Sequence, residues 1–151
     1  MAPLLFDEIP VGLVLAPLEA YEMTRDDIVD FAGRFDPQPF HLDEEAAART
    51  DFGGLVASGL HTLAVSIRLG ADEEPATAAV AGLGIDELRM LRPVRPGDRL
   101  RQSTEVVEVC ASRSRRDRGI VRARRTVRNQ DDVPVLTYLL SWMVARDETV
   151  A

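Results

Sequence analysis

The segment 58–70 constrains this chain most. Ser58 opens it, Gly70 closes it, and Leu60, Leu63, Ala64, Val65, Ile67 and Leu69 leave few strongly polar positions on any side. Ser suits a helix N-cap and Gly a C-terminal stop. A helix apolar nearly all round is stable only when other elements enclose it, so the rest of the chain has to wrap a central buried helix. The second half reads as that wrapper. Residues 79–91, 100–111, 119–129 and 133–145 are strand-like, with turn signals at Pro96-Gly97-Asp98 and at 129–132. The last of these sets Leu136, Tyr138, Leu140, Trp142 and Val144 on one face and Val135, Leu139 and Met143 on the other, so it belongs inside the sheet. Helices early and strands late, joined by short connections, predict an α+β fold with an antiparallel sheet packed around one helix.

Two further helices precede the central one. Thr24 can cap the first, with Asp27 three residues on and Ile28, Phe31, Ala32 and Phe35 on one face. Asp43 suits the cap of a second that runs through Ala46, Ala47 and Ala48, before Gly53-Gly54 breaks the chain. No repeat or linker divides the 151 residues, and one domain over 1–151 is expected. No basic leader precedes an apolar run, and no stretch reaches the ~18 apolar residues of a membrane span. The chain therefore reads as soluble and cytoplasmic. Cys110 is the only cysteine, which excludes an intramolecular disulfide, and with only His41 and His61 beside it a structural zinc cluster lacks ligands. Cys110 itself is expected to be a buried, inert thiol.

A formal net charge of −7 argues against nucleic acid or an anionic membrane as partner. The charge is uneven. Residues 1–51 hold twelve acids and three arginines, whereas 113–128 hold eight arginines against Asp117 alone. These arginines either meet an anion such as the phosphates of coenzyme A or form the solvated face of a hairpin, since Arg122, Arg124 and Arg128 alternate with Val121, Ala123 and Val127. The alternation favours the hairpin face.

Chemistry concentrates in Asp36-Pro37-Gln38-Pro39-Phe40-His41. Each proline biases the residue before it towards extended backbone, which stiffens a loop carrying a carboxylate and an imidazole. Such a pair can take a proton from water and return it, provided the groups are held within hydrogen-bond reach. The same residues equally suit a surface loop in which Asp36 ends one helix and His41 packs or caps the next. Ser58-Gly59 likewise has two readings. It is either a helix start whose free N–H groups receive a developing oxyanion, Gly letting a carbonyl approach, or an ordinary Ser cap followed by a tightly packed Gly. His61 is read as a packing histidine.

Taken together, the run from Phe31 through Asp36-Pro37-Gln38-Pro39-Phe40-His41-Leu42-Asp43, then Phe52-Gly53-Gly54-Leu55-Val56-Ala57-Ser58-Gly59-Leu60, and later Leu91-Arg92-Pro93-Val94-Arg95-Pro96-Gly97-Asp98, resembles the MaoC-like dehydratases, relatives of (R)-specific enoyl-CoA hydratases. The resemblance implies a hot-dog fold, a long helix wrapped by an antiparallel sheet, in homodimers whose two sheets join. It also implies reversible hydration of an enoyl-CoA, with Asp36 and His41 as the catalytic pair and the Gly59 N–H binding the thioester oxygen. Gln38, Phe40 and Ser58 are the expected substrate-binding positions. Phe35 and Gln38 stand where many such hydratases have Gly and Asn, and Ser58 where His is often found. No metal or organic cofactor is implied, coenzyme A entering as part of the substrate. Two rival functions suit the same scaffold: an acyl-CoA thioesterase and a non-catalytic acyl-thioester-binding subunit.

Overall fold

The computed structural model describes residues 1–147. Thr24 caps α1 (Arg25–Phe35) by accepting the Asp27 N–H at 3.1 Å. The apolar side of α1 is buried only in part: Ile28 and Ala32 are enclosed, but Phe35 is 64 % exposed, with the Arg34 guanidinium over its ring. Where a loop is expected, Pro39–Leu42 forms a single helical turn, α2. Pro39 holds its first position, where a missing N–H costs nothing. Asp43 caps α3 (Glu44–Ala48) by accepting the Ala46 N–H at 2.7 Å. The central helix, α4, spans Gly59–Gly70, with Ser58 as its N-cap.

Among the described residues the strands are, in chain order, β1 (Val14–Pro17), β2 (Tyr21–Glu22), β3 (Glu73–Glu74), β4 (Ala79–Met90), β5 (Arg99–Ala111), β6 (Arg118–Arg128) and β7 (Pro134–Ala145). They form one antiparallel sheet ordered β3-β1-β5-β6-β7-β4, with β2 also on β5. The four long strands lie where sequence periodicity sets them, and β7 is internal. The three short ones escape a sequence reading because two to four residues carry no usable period.

Val65 and Leu69 on the inner side of α4 pack with Leu100, Val127, Leu136 and Tyr138. Further along the same sheet face, Phe6 and Ile9 take over the covering role against Val106, Val121, Ala123, Trp142 and Val144. Beneath α4 lies a buried polar layer. Ser66 bonds Gln102 and, at 2.7 Å, the Tyr138 hydroxyl; Gln102 donates to Glu73 at 2.6 Å; and Arg125 reaches Glu73 at 3.2 Å, Thr104 at 3.1 Å and Tyr138 at 3.3 Å. With its members paired, this layer holds the helix at one height over the sheet.

Two expectations need correction. The enclosure of α4 is incomplete within the chain, because the sheet covers only its inner side: Leu60, Ala64 and Ile67 face outwards, beside the edge strand β4, whose Val80, Leu83 and Ile85 are also exposed. Cys110 is exposed, not buried. A bulge between Val106 and Glu108 inserts one residue into β5, which reverses the alternation set by the buried Leu100, Gln102, Thr104 and Val106.

Candidate active site

The end of α1, the α2 turn and the start of α4 meet at one point. Asp36 is the C-cap of α1, its N–H bonded to the Ala32 carbonyl at 3.0 Å. Gln38 is extended, as the following proline requires, and the turn it starts directs His41 inwards. The segment before α4 is stitched on both sides, Val56 N–H to the Phe40 carbonyl at 3.2 Å and Ala57 N–H to the Val94 carbonyl at 2.8 Å. Backbone hydrogen bonds thus hold the three contributing pieces in register.

His41 is buried, and its Nδ1 lies 2.6 Å from the Val56 carbonyl oxygen. A carbonyl only accepts, so Nδ1 carries the proton and Nε2 of the neutral ring presents a lone pair. That Nε2 faces Asp36 Oδ2 at 3.4 Å. Two acceptors at this distance need a proton shared between them or a water alongside that donates to both, which makes the pair a proton-handling site. Ser58 Oγ donates to the same Oδ2 at 2.6 Å and accepts the Leu60 N–H at 3.2 Å. Asp36 Oδ1 has no donor among the described residues and is left for a water.

The first N–H groups of a helix have no acceptor within it. Ser58 takes the Leu60 N–H, leaving the Gly59 N–H at the positive end of the α4 dipole. Asp36, His41, Ser58 and Gly59 line a single cavity of about 490 Å³ with Phe40 and Met90. Phe40 stands edge-on to His41 at 4.5 Å and lies 5.3 Å from Phe52, forming an aromatic wall.

Of the residues singled out by sequence, Asp36, His41, Phe40, Ser58 and Gly59 come together. Gln38 does not: it is exposed and lines no part of the cavity, because as N-cap of α2 it contributes backbone geometry while its side chain faces solvent. Ser58 acts on Asp36 through its hydroxyl, a contact that its N-cap signal alone does not disclose. Sequence reasoning missed the Val56 carbonyl, Met90, and Arg92, which lines the cavity without a carboxylate partner among the described residues. The 113–128 arginines line no part of it. Arg118 and Arg115 hold the Asp117 carboxyl well below the usual range, and Arg122 and Arg124 pair with Asp86 and Glu87 on the outer sheet face, as a hairpin surface requires. Arg125 departs from that pattern in being buried against Glu73. His61 is buried and stacks on Phe31 at 4.6 Å, outside the cavity lining. Among the described residues, no group of three or more His, Cys, Asp or Glu side chains is placed to hold a metal ion, and no helix is long and apolar enough to cross a membrane.

Residues 11–129 match the MaoC-like domain family. The solved MaoC-like dehydratase of Rhodospirillum rubrum is 39 % identical and superposes with a TM-score of 0.88, covering 95 % of this chain and 98 % of that one. An uncharacterised Bacillus subtilis protein, YdeM, is 35 % identical over 141 residues, 93 % of this chain and 98 % of its own. The 3-hydroxybutyryl-CoA dehydratase of Methylorubrum extorquens is 34 % identical over 113 residues, 74 % of this chain and 69 % of its own. The helix laid on an antiparallel sheet is the hot-dog fold.

Proposed function

We propose that this chain, which belongs to the MaoC-like dehydratase family, catalyses the reversible addition of water to a 2-enoyl thioester carried on coenzyme A. The reading rests on one observation: a carboxylate, an imidazole with its Nε2 turned towards that carboxylate, and a helix-start N–H border the same cavity. In the hydration direction a water sits beside Asp36 and His41, within hydrogen-bond reach of both. The pair takes one proton from it as the oxygen bonds to Cβ. The Cα=Cβ electrons move onto the thioester oxygen, and that oxyanion meets the Gly59 N–H and the α4 dipole. The proton then passes from the pair to Cα, so the atoms of one water are added and the dyad is restored. Because a catalyst lowers the barrier in both directions, the same groups dehydrate a 3-hydroxyacyl thioester. The thioester carbonyl itself acidifies Cα, so this chemistry draws on no metal or organic cofactor.

The working unit in this reading is a homodimer. The outward side of α4 and the exposed Val80, Leu83 and Ile85 of β4 form an apolar surface beside an edge strand with unpaired backbone groups, and a second copy adding its own β4 covers both.

The test is a panel of enoyl-CoA substrates followed by loss of enoyl absorbance, with Asp36→Asn and His41→Ala in parallel. Hydration by the native chain and a fall of about 10² to 10⁴-fold in either variant support the assignment. Release of free thiol identifies a thioesterase instead, and binding without turnover identifies a carrier subunit.

A further inference from the structure

The place a side chain would take on Gly59 is already filled. A Cβ built on Gly59 overlaps the Met90 Sδ and lies 2.5 Å from the Met90 Cε. Gly at this position is therefore what lets a thioether lie against the start of α4. The Met90 backbone is paired with Leu136 and followed by a Leu91 N–H to Val135 carbonyl bond at 2.8 Å, while the residue as a whole is 56 % exposed and lines the cavity. An unbranched side chain with three torsions, anchored at one end and half in solvent, changes rotamer at little cost.

The direction of this side chain is built into β4. Asp86 pairs with Leu139 and Arg89 with Thr137, so β4 uses three steps where β7 uses two, and Glu87 takes a φ of 51° to absorb the extra residue. Asp86 points to the outer face, where it meets Arg122. In a regular strand Met90, four residues on, would point the same way. The inserted residue reverses the alternation and turns Met90 inwards onto Gly59.

Resting on the hydratase reading, we propose that Met90 is a thioether gate over the Gly59 amide and the residue that selects enoyl thioesters unsubstituted at Cα. A carbonyl oxygen that takes the Gly59 N–H brings Cα into the volume the thioether vacates. A hydrogen on Cα is accommodated by a small rotation of Met90, whereas a 2-methyl group competes with Met90 for the same space. A single methyl group in an apolar site is worth about 10 to 200-fold in discrimination.

The experiment compares crotonyl-CoA with 2-methylcrotonyl-CoA in native protein, Met90→Ala and Met90→Leu. The native chain prefers crotonyl-CoA. Met90→Ala shifts the ratio of kcat/KM about tenfold or more towards the 2-methyl substrate, and Met90→Leu, which refills the volume, keeps the native preference; an unchanged ratio in Met90→Ala overturns the gate. A second measurement is independent of turnover. Gly59→Ala lowers Tm by several degrees in the native background and by much less when added to Met90→Ala, whereas equal losses in the two backgrounds overturn the contact itself. Absence of hydration with that thermal coupling intact removes the hydratase reading and the selectivity role with it, which separates the two failures.

Discussion

Ser58 Oγ joins two functions, since it donates to Asp36 Oδ2 at 2.6 Å while accepting the Leu60 N–H at 3.2 Å. The cap of α4 is therefore also the clamp on the carboxylate. Ser58→Ala is expected to lose about 1 kcal/mol of stability from the cap and about 10²-fold in kcat from a misplaced carboxylate, with a much smaller change in KM. Ser58→Thr, which keeps the hydroxyl, retains most of both. Denaturant midpoints and steady-state kinetics read the two effects separately, and a kcat unaffected by loss of the hydroxyl argues against the clamp.

Asp36 and His41 handle one proton between them across a 3.4 Å gap, so their losses do not add. Asp36→Asn and His41→Ala each lower kcat, and the double variant is no slower than the worse single one. Multiplicative losses would show two independent roles instead.

His61 gives the fold a pH dependence. Burial, the larger effect, pushes its imidazole below the ordinary 6.5, the Asp27 charge pulling the other way, and its Nδ1 has no partner among the described residues. As pH falls through about 6.5 the unfolded chain takes up a proton that the folded chain resists. Stability is accordingly full above that pH and declines as pH drops from there towards the lower folded value. The decline is shallower in His61→Phe, which preserves stacking on Phe31, and Tm measured across about pH 5 to 8 compares the two slopes.

The Glu73–Arg125 pair is buried on both sides, so removing one partner strands the other's charge. Arg125→Met alone costs about 3 to 5 kcal/mol, and Glu73→Leu added to it recovers most of that loss. Urea denaturation of the two single variants and the double decides it; a double variant as weak as the singles would mean that the surrounding hydroxyls, not the ion pair, carry the effect.

If a second copy covers β4, sedimentation finds a dimer, and Leu83→Lys with Ile85→Lys shifts it to monomer. Charges on an edge strand block the addition of another strand. A native chain that sediments as a monomer at micromolar concentration removes the joined-sheet arrangement.

The four long strands and the caps at Thr24, Asp43 and Ser58 were legible because each signal spans residues that interact within one turn or one strand. Bulges broke that legibility. A single inserted residue in β5 exposed Cys110, and another in β4 turned Met90 onto Gly59, and neither insertion has a sequence mark apart from the pairing partner's register. Phe35 and the outer side of α4 misled for a different reason: apolar periodicity states that a face seeks cover without stating that the same chain supplies it.

Alone, the sequence determined where α4 begins, that a sheet must lie against it, and which groups near it are able to move a proton. Those follow from hydrogen bonds and side-chain periods among near neighbours. That His41 Nε2 faces Asp36, that Ser58 reaches back 22 positions to clamp it, and that a methionine from the sheet edge lies over Gly59 were decided only by the packing of distant segments. Their distances depend on how α1, α2, α4 and β4 settle around a shared core, and no local rule carries that information.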